Sequence, residues 1–344
     1  MPTFRTATVT EELATRPGLQ RVRLAMDDGS EARAYALTDL TGPVAEGDEV
    51  VVNTTAVDLS LGTGGWHVVH WNLARREWSG GAGGHVMKVR YTSLQADVGA
   101  DEEHHPGRPT DLGGTPVVAC SVHSQVGVVA AVLAAARPGT RVAYAMTDGA
   151  ALPLALSDLV HDLRAAGLLV GTVTAGHAFG GDHEAVSVPS ALAVARHALD
   201  AEVVVAGMGP GVVGTGSRLG YSGLEQAGIL DAAAWLGGRP VMCTRASSGD
   251  ARPRHQGVSH HSTTVLDATR SDVDVPLPPG LAVDLGGRHR ALTVEGPDPA
   301  GALAAAGVRV TTMGRGPEQD PLFFAAAASA AAHAASLLSP PARP

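Results

Sequence analysis

The stretch from Val203 to Gly220 limits the folds open to this chain more than any other. It reads Val-Val-Val-Ala-Gly-Met-Gly-Pro-Gly-Val-Val-Gly-Thr-Gly-Ser-Arg-Leu-Gly, and Ser222-Gly223-Leu224-Glu225 then opens a helix. An apolar, β-branched run fits a strand buried on both faces. Six glycines follow within the stretch, and only backbone without Cβ turns this tightly while presenting bare N–H groups. A strand, a glycine loop and a helix in that order form a unit of an α/β sheet. In such sheets this loop is where anionic small molecules bind.

The same alternation runs through the chain from Thr115 onward. Strands are predicted at Pro116–Ser121, Arg141–Met146, Leu168–Thr174, Glu202–Ala206 and Pro240–Thr244. Helices are predicted at Ser124–Ala136, Pro153–Ala166, Ser187–Leu199 and Ser222–Leu236. Continuous apolar strands alternating with helices imply a parallel sheet in a three-layer, Rossmann-like α/β domain. Further strands are expected at Ala291–Val294 and Val308–Thr312, and an Ala-rich helix at Phe323–Leu338. Before Thr115 the pattern has period two, as in Gln20–Leu24, Ala32–Leu37, Glu49–Val52, His67–Trp71 and His85–Tyr91, with glycine-rich turns between. Short punctuated strands of this kind predict a β-rich barrel or sandwich. The polar Pro/Gly stretch Asp101–Pro109 reads as a linker, which divides the chain into residues 1–112 and 113–344.

Composition removes several functions. The 344 residues carry a formal net charge of −9, with pI near 5.9, so the basic footprint of a nucleic-acid binder is missing and no nucleic-acid partner is expected. No apolar run is long enough to span a bilayer. The first residues lack a secretory leader's layout, so no membrane partner and a cytoplasmic location are expected. Lys88 is the only lysine among 25 basic side chains. A P-loop, which needs Gly-Lys-Ser/Thr, is therefore excluded, and a Schiff-base mechanism would have to use Lys88. Cys120 and Cys243 fall in interior strands and read as buried thiols rather than as chemistry.

Ligands of an open parallel sheet bind outside the carboxyl ends of its strands, and polar residues collect after each predicted strand. His123 follows the first, Asp148 the second, and Gly176-His177-Ala178-Phe179-Gly180-Gly181-Asp182-His183 the third. The glycine loop with Ser217 and Arg218 follows the fourth. After the fifth come Arg245, Arg252, Arg254, His255, His260 and His261. Gly209, Gly211, Gly214 and Gly216 are the candidate anion cradle. Arg218 and Arg245, with Lys88, His260 and His261, are candidates for neutralising and holding the ligand. His123 and His177 are the candidate acid/base groups, and Asp148 and Asp182 would orient them or bind a metal. Each has a plainer reading: His123 as a hydrogen-bonding structural histidine, Asp148 as a turn residue, Asp182 as a helix cap, and Lys88 with Arg90 as the solvated face of a strand. The match Gly209-x-Gly211-x-x-Gly214 is not a dinucleotide fingerprint. It follows the fourth strand, its last glycine opens no helix, and no acid ends a strand at the required distance. Neither His-x-x-x-His nor Cys-x-x-Cys spacing marks a metal site, and no Gly-x-Ser-x-Gly elbow marks a hydrolase.

Six segments act together as a signature: Asn53–Leu59, Gly84–Thr92, Met146–Pro153, Gly176–Asp182, Gly207–Gly216 and Gly257–His261. This combination resembles a bacterial family known only as a domain of unknown function, DUF3866, over almost the whole chain. The resemblance implies one recurring design and brings no reaction with it. From the residues, the leading expectation is an enzyme, a transferase or hydrolase, acting on a small phosphorylated or carboxylated metabolite. The site would lie at the sheet's carboxyl edge, in a cleft facing the first domain. A non-catalytic sensor of such a metabolite and a metal-dependent hydrolase are the alternatives. The sequence names no cofactor and leaves homo-oligomer formation open.

Overall fold

The computed structural model describes residues 1–338 except 63, 81–83, 85 and 150–152. His85, the first residue of one expected strand, therefore lies outside the described residues. The chain forms two compact units, Met1–Gly99 and Ala100–Pro344.

The first unit is a closed five-stranded barrel. Its strands are β1 (Phe4–Arg16), β2 (Leu19–Met26), β3 (Glu31–Ala36), β4 (Glu49–Asn53) and β5 (Trp66–Asn72), in the order β1-β2-β3-β5-β4. Neighbours are antiparallel except β3 and β5. Alternation does what the pattern requires: Val22, Leu24, Ala34, Ala36, Val50 and Val52 point inward and are fully buried. Register shifts after Val9 and Glu12 bend the long β1 around the barrel. Single turns α1 (Thr38–Thr41) and α2 (Thr55–Asp58) flank β4. Among the described residues of the strand expected at His85–Tyr91, only β6 (Met87–Lys88) forms, pairing with β7 (Ala96–Asp97). Val89 and Tyr91 adopt φ of 50° and 62°, which ends the extended run. Lys88 is buried and Arg90 exposed, so the two do not share a solvated strand face.

The second unit begins with the stretch that resembles a linker. Residues Asp101–His104 form α3, and the Asp101 carboxylate accepts from Arg108 Nε at 2.5 Å and Nη2 at 2.9 Å. Glu102 accepts from the Val186 N–H at 3.1 Å. The segment is thus folded onto the α/β unit.

That unit is an eight-stranded, wholly parallel sheet with helices on both faces. In chain order its elements are β8 (Pro116–Cys120), α4 (His123–Ala136), β9 (Val142–Thr147), α5 (Asp158–Ala165), β10 (Gly171–Ala175), β11 (His183–Ala185), α6 (Val188–His197), β12 (Val203–Met208), α7 (Gln226–Trp235) and β13 (Arg239–Cys243). Next come the small hairpin β14 (Ala246–Ser247) and β15 (Gly257–Val258), α8 (His260–Ala268), β16 (Asp274–Leu277), β17 (Arg290–Thr293), α9 (Pro299–Ala306) and α10 (Pro321–Ser336). The sheet order is β11-β10-β9-β12-β8-β13-β16-β17. Val118 and Cys120 face the core formed with α4, α5, α9 and α10, while Val117 and Ala119 face α6, α7 and α8. Ser157 and Ser187 cap α5 and α6 by accepting from Val160 and Ser190 N–H.

Two parts of the sheet differ from expectation. Val308–Thr312 is not a strand; Val308 and Val310 pack into the helical side of the core. An unexpected strand, β16, lies between β13 and β17, and the edge beyond β10 is β11, which runs parallel to β10 after a return of only residues 176–182. Left-handed Gly176 and Gly180 (φ 63° and 87°) make that short return possible.

Helices α4 and α7 leave the adjacent strands β8 and β12 toward opposite faces. A crevice opens at such a switch point, outside the carboxyl ends.

Close contact between β12 and β8 depends on Gly207, where a Cβ would lie 2.6 Å from the Cys120 carbonyl oxygen. Gly228, inside α7, has open space around it. Gly207→Ala is expected to cost about 1–3 kcal/mol. Gly228→Ala is expected to stabilise by about 1 kcal/mol. Urea unfolding of the two variants checks this, and equal effects would refute the close approach.

Candidate functional site

The carboxyl ends of the central strands are held by two buried glutamines. Gln125 of α4 accepts from Ser121 N–H at 2.9 Å and donates to the Cys243 and Thr244 carbonyls at 3.3 and 3.2 Å. Gln226 of α7 donates to the Ala119 and Cys243 carbonyls at 2.6 and 3.0 Å. These bonds satisfy backbone groups that the diverging chain leaves without ladder partners.

Glu225 precedes Gln226 and ends a 3-10 turn over Ser222–Glu225. Its carboxyl group accepts from the Thr147 hydroxyl and sits beside Asp148 and Gly149 at the end of β9. Burial pushes Glu225 up to about 7, with the Asp148 charge adding to the rise and the Thr147 bond opposing it. Asp148 accepts from the His177 N–H at 3.2 Å. So Asp148 and His177 do meet, through the histidine's backbone, and Glu225 is a titratable neighbour of Asp148. In the sequence Glu225 reads only as a helix-start residue.

A second cluster follows β13. His255 ends a 3-10 turn over Pro253–His255, and His260 and His261 open α8 behind the cap Ser259. Ring nitrogens of the three histidines lie within 4.8 Å of one another. Ser259 Oγ bonds His255 Nδ1 at 2.7 Å and accepts from His261 N–H at 3.2 Å. The Tyr221 ring lies flat on His261, with centroids 3.6 Å apart and planes 2° apart, and its hydroxyl donates to the His261 carbonyl at 2.7 Å. Arg245, buried at 6% exposure, donates to His261 Nδ1 at 3.0 Å. Burial first, and then the surrounding arginines, lower all three imidazoles, His255 to about 4 and His261 to about 3. They are neutral at physiological pH.

The loop bearing this cluster is braced from below. Asp250 pairs with Arg252 at 2.7 Å and Arg315 at 3.4 Å. The fully buried Asp320 pairs with Arg315 at 3.1 Å and accepts from Ser247 Oγ and from Ser248 and Gly249 N–H.

The glycine loop closes on itself. Gly214 bridges Tyr221, and the N–H groups of Val213, Thr215, Ser217 and Gly220 bond within the loop. Gly209 is there for packing, since a Cβ would meet Met146 Sδ at 2.9 Å. Gly211 and Gly216 take φ of 101° and 81°, where glycine is favoured, and a Cβ at Gly216 would lie 3.5 Å from Arg254. The loop tip therefore reaches Arg254, the chain neighbour of His255. Ser217 bonds Thr215, while Arg218 pairs in solvent with Asp267 at 2.7 Å.

Other expected residues stand apart. His123 Nδ1–H donates to the Met208 carbonyl at 3.2 Å, and Ser157 Oγ lies 2.7 Å from Nε2. Both nitrogens are committed to holding β12 and the start of α5. Asp182 is not at the carboxyl edge, because the return after β10 carries it back beside Thr172. There it accepts from Thr172 N–H at 2.8 Å and Arg164 at 2.7 Å. His183 pairs with Asp101 at 3.3 Å. Lys88 belongs to the barrel unit.

A family profile matches residues 33–331 under the description "Protein of unknown function (DUF3866)". The chain belongs to that family. No curated protein and no solved structure matches it. Among the described residues, no helix is long and apolar enough to cross a membrane.

Burial lowers His123 to about 4, so the folded protein holds it neutral while the unfolded chain protonates it near its ordinary 6.5. The stability it contributes is present above pH 6.5 and lost as the pH falls toward 4. The shift corresponds to about 3 kcal/mol for an enclosed ring, and less here because the residue keeps some exposure. His123→Gln should flatten the fall in unfolding free energy between pH 6.5 and 4, measured by urea titration at both pH values. An unchanged slope would show that the ring is freely solvated.

Proposed function

We propose that this protein is an enzyme acting on a small anionic metabolite at the carboxyl edge of its parallel sheet, with Glu225 as the proton-handling group. The observation that carries this is the carboxyl group of Glu225: it is half-buried at the switch point and shifted to about 7 beside a second acid, Asp148. An acid poised near neutral pH can give and take a proton in one cycle. A sensor of an anion has no use for such a group, and its burial weakens the fold. The positive charge comes from Arg245, on His261, and from Arg254, next to the tip of the glycine loop. Tyr221 and Glu225 bracket a single 3-10 turn. Four residues at about 2 Å rise each span about 8 Å, so the acid and the basic cluster serve one small ligand. Hydrolysis and group transfer both need these parts.

The test is Glu225→Gln. In the wild type, a carboxyl raised from 4.5 to about 7 makes the folded state bind the proton more tightly than the unfolded state. Relative stability is therefore lost as the pH rises from about 4.5 through 7, and the full cost stands above it. The Gln variant should unfold at least about 3 °C higher than wild type at pH 8 and show no such gain at pH 4. The wild type is then screened against phosphorylated and carboxylated metabolites. The one it converts should be turned over by the variant at least about tenfold more slowly. A metabolite bound tightly and left unchanged by the wild type would make the protein a sensor.

A further inference from the structure

We infer that His255, His260 and His261 form a binding site for a divalent transition-metal ion of the zinc class, held by three imidazoles with a further coordination position open. Imidazole nitrogen is the ligand type that such ions take, and three protein ligands with a vacant position are the arrangement of catalytic rather than structural sites.

The geometry supports this without reference to Glu225. One nitrogen from each ring lies within 4.8 Å of the other two, so modest side-chain rotation would close the set around one ion. The ring centroids are 4.3 to 5.0 Å apart. Two of the rings are held from outside by the groups that second-layer partners usually supply. Ser259 bonds the Nδ1 of His255, and Tyr221 clamps the face and backbone of His261. The third ring is the telling one. His260 Nε2 is shut off from solvent and has no hydrogen-bond partner. A buried polar nitrogen left unbonded is unfavourable, and a metal ion would supply the missing partner.

Loading the site requires one exchange. His261 Nδ1 accepts from Arg245, so His261 must either turn over in its own plane against Tyr221 or give up the arginine to the ion. In the second case a guanidinium is released beside the open coordination position. That is where the anionic group of a substrate would bind both charges. The wider field around the site is Arg245, Arg252 and Arg254, with Asp250 opposing them. This places the ion among positive charges and makes an anion a natural further ligand.

The experiment uses the full chain, stripped with a chelator and dialysed, then titrated with Zn2+ and with Co2+. One ion per chain is expected by calorimetry and elemental analysis, with the visible absorption of four- or five-coordinate cobalt on imidazole. His260→Ala and His255→Ala should each weaken binding at least about tenfold, which is about 1.4 kcal/mol. His260→Cys, which restores a ligand, should recover most of it. His183→Ala, outside the cluster, should leave binding unchanged. Thermal unfolding of each variant without metal shows whether it is folded. A wild type that takes up no ion, or folded His255→Ala and His260→Ala variants that bind as tightly as wild type, would overturn the site. Neither result bears on the pH dependence of Glu225→Gln, so the two readings fail separately.

Discussion

The site rests on the bonds that Gln125 and Gln226 make across the ends of β8 and β13. A parallel sheet buried on both faces cannot use water to satisfy backbone groups where its strands diverge, and each unmet group costs about 1–3 kcal/mol. Two amide side chains, arriving from helices on opposite faces, meet that demand at Ser121, Ala119, Cys243 and Thr244. In doing so they set where α4 and α7 begin. Because Gln226 is pinned, Glu225 immediately before it is held over β9, and the turn back to Tyr221 is short enough to put that ring on His261. Backbone satisfaction in the core thus dictates the distance between the two titratable clusters.

The clusters are built on opposite electrostatic principles. Glu225 is strained toward its neutral form by burial and by Asp148. The three histidines are kept neutral by burial and by arginines, and the loop that carries them is braced by full ionic pairs through Asp250 and Asp320. Where stability is needed, charges are matched. Where chemistry is proposed, they are held away from their preferred states, as functional sites commonly require.

Particular elements show what sequence could reveal. β8, β9, β12 and β13 were legible because a strand buried on both faces must be apolar throughout, and helices between parallel neighbours must follow. β11 and β16 were not: His183-Glu184-Ala185 is a short polar strand of the kind an edge tolerates, and Asp274 and Pro276 break the apolar run of β16, which lies between β13 and β17. Val308–Thr312 has the right pattern for a strand, yet Val308 and Val310 are used to seal the core beside α9. Asp101–Pro109 has a linker's composition, but its charges find partners in Arg108, His183 and Ser190. At the site, His260, His261 and Arg245 were legible as members of one polar edge. Asp182 misled because a seven-residue return between parallel strands carries it to the opposite end of β10.

The sequence alone settles the class of fold and the edge of the sheet where polar groups gather. Hydrophobic periodicity and glycine placement are local properties, and a buried parallel sheet leaves charged side chains only its ends. Which polar groups meet was decided by tertiary packing. His255 and Tyr221 lie on and just before separate 3-10 turns, His261 at a helix start and Arg245 in the link after β13, and no spacing rule joins them. Glu225 becomes an acid titrating near 7 only because Thr147 and Asp148, far away in the chain, end a neighbouring strand beneath it. Burial and through-space charge set that value, and neither exists until the sheet has closed.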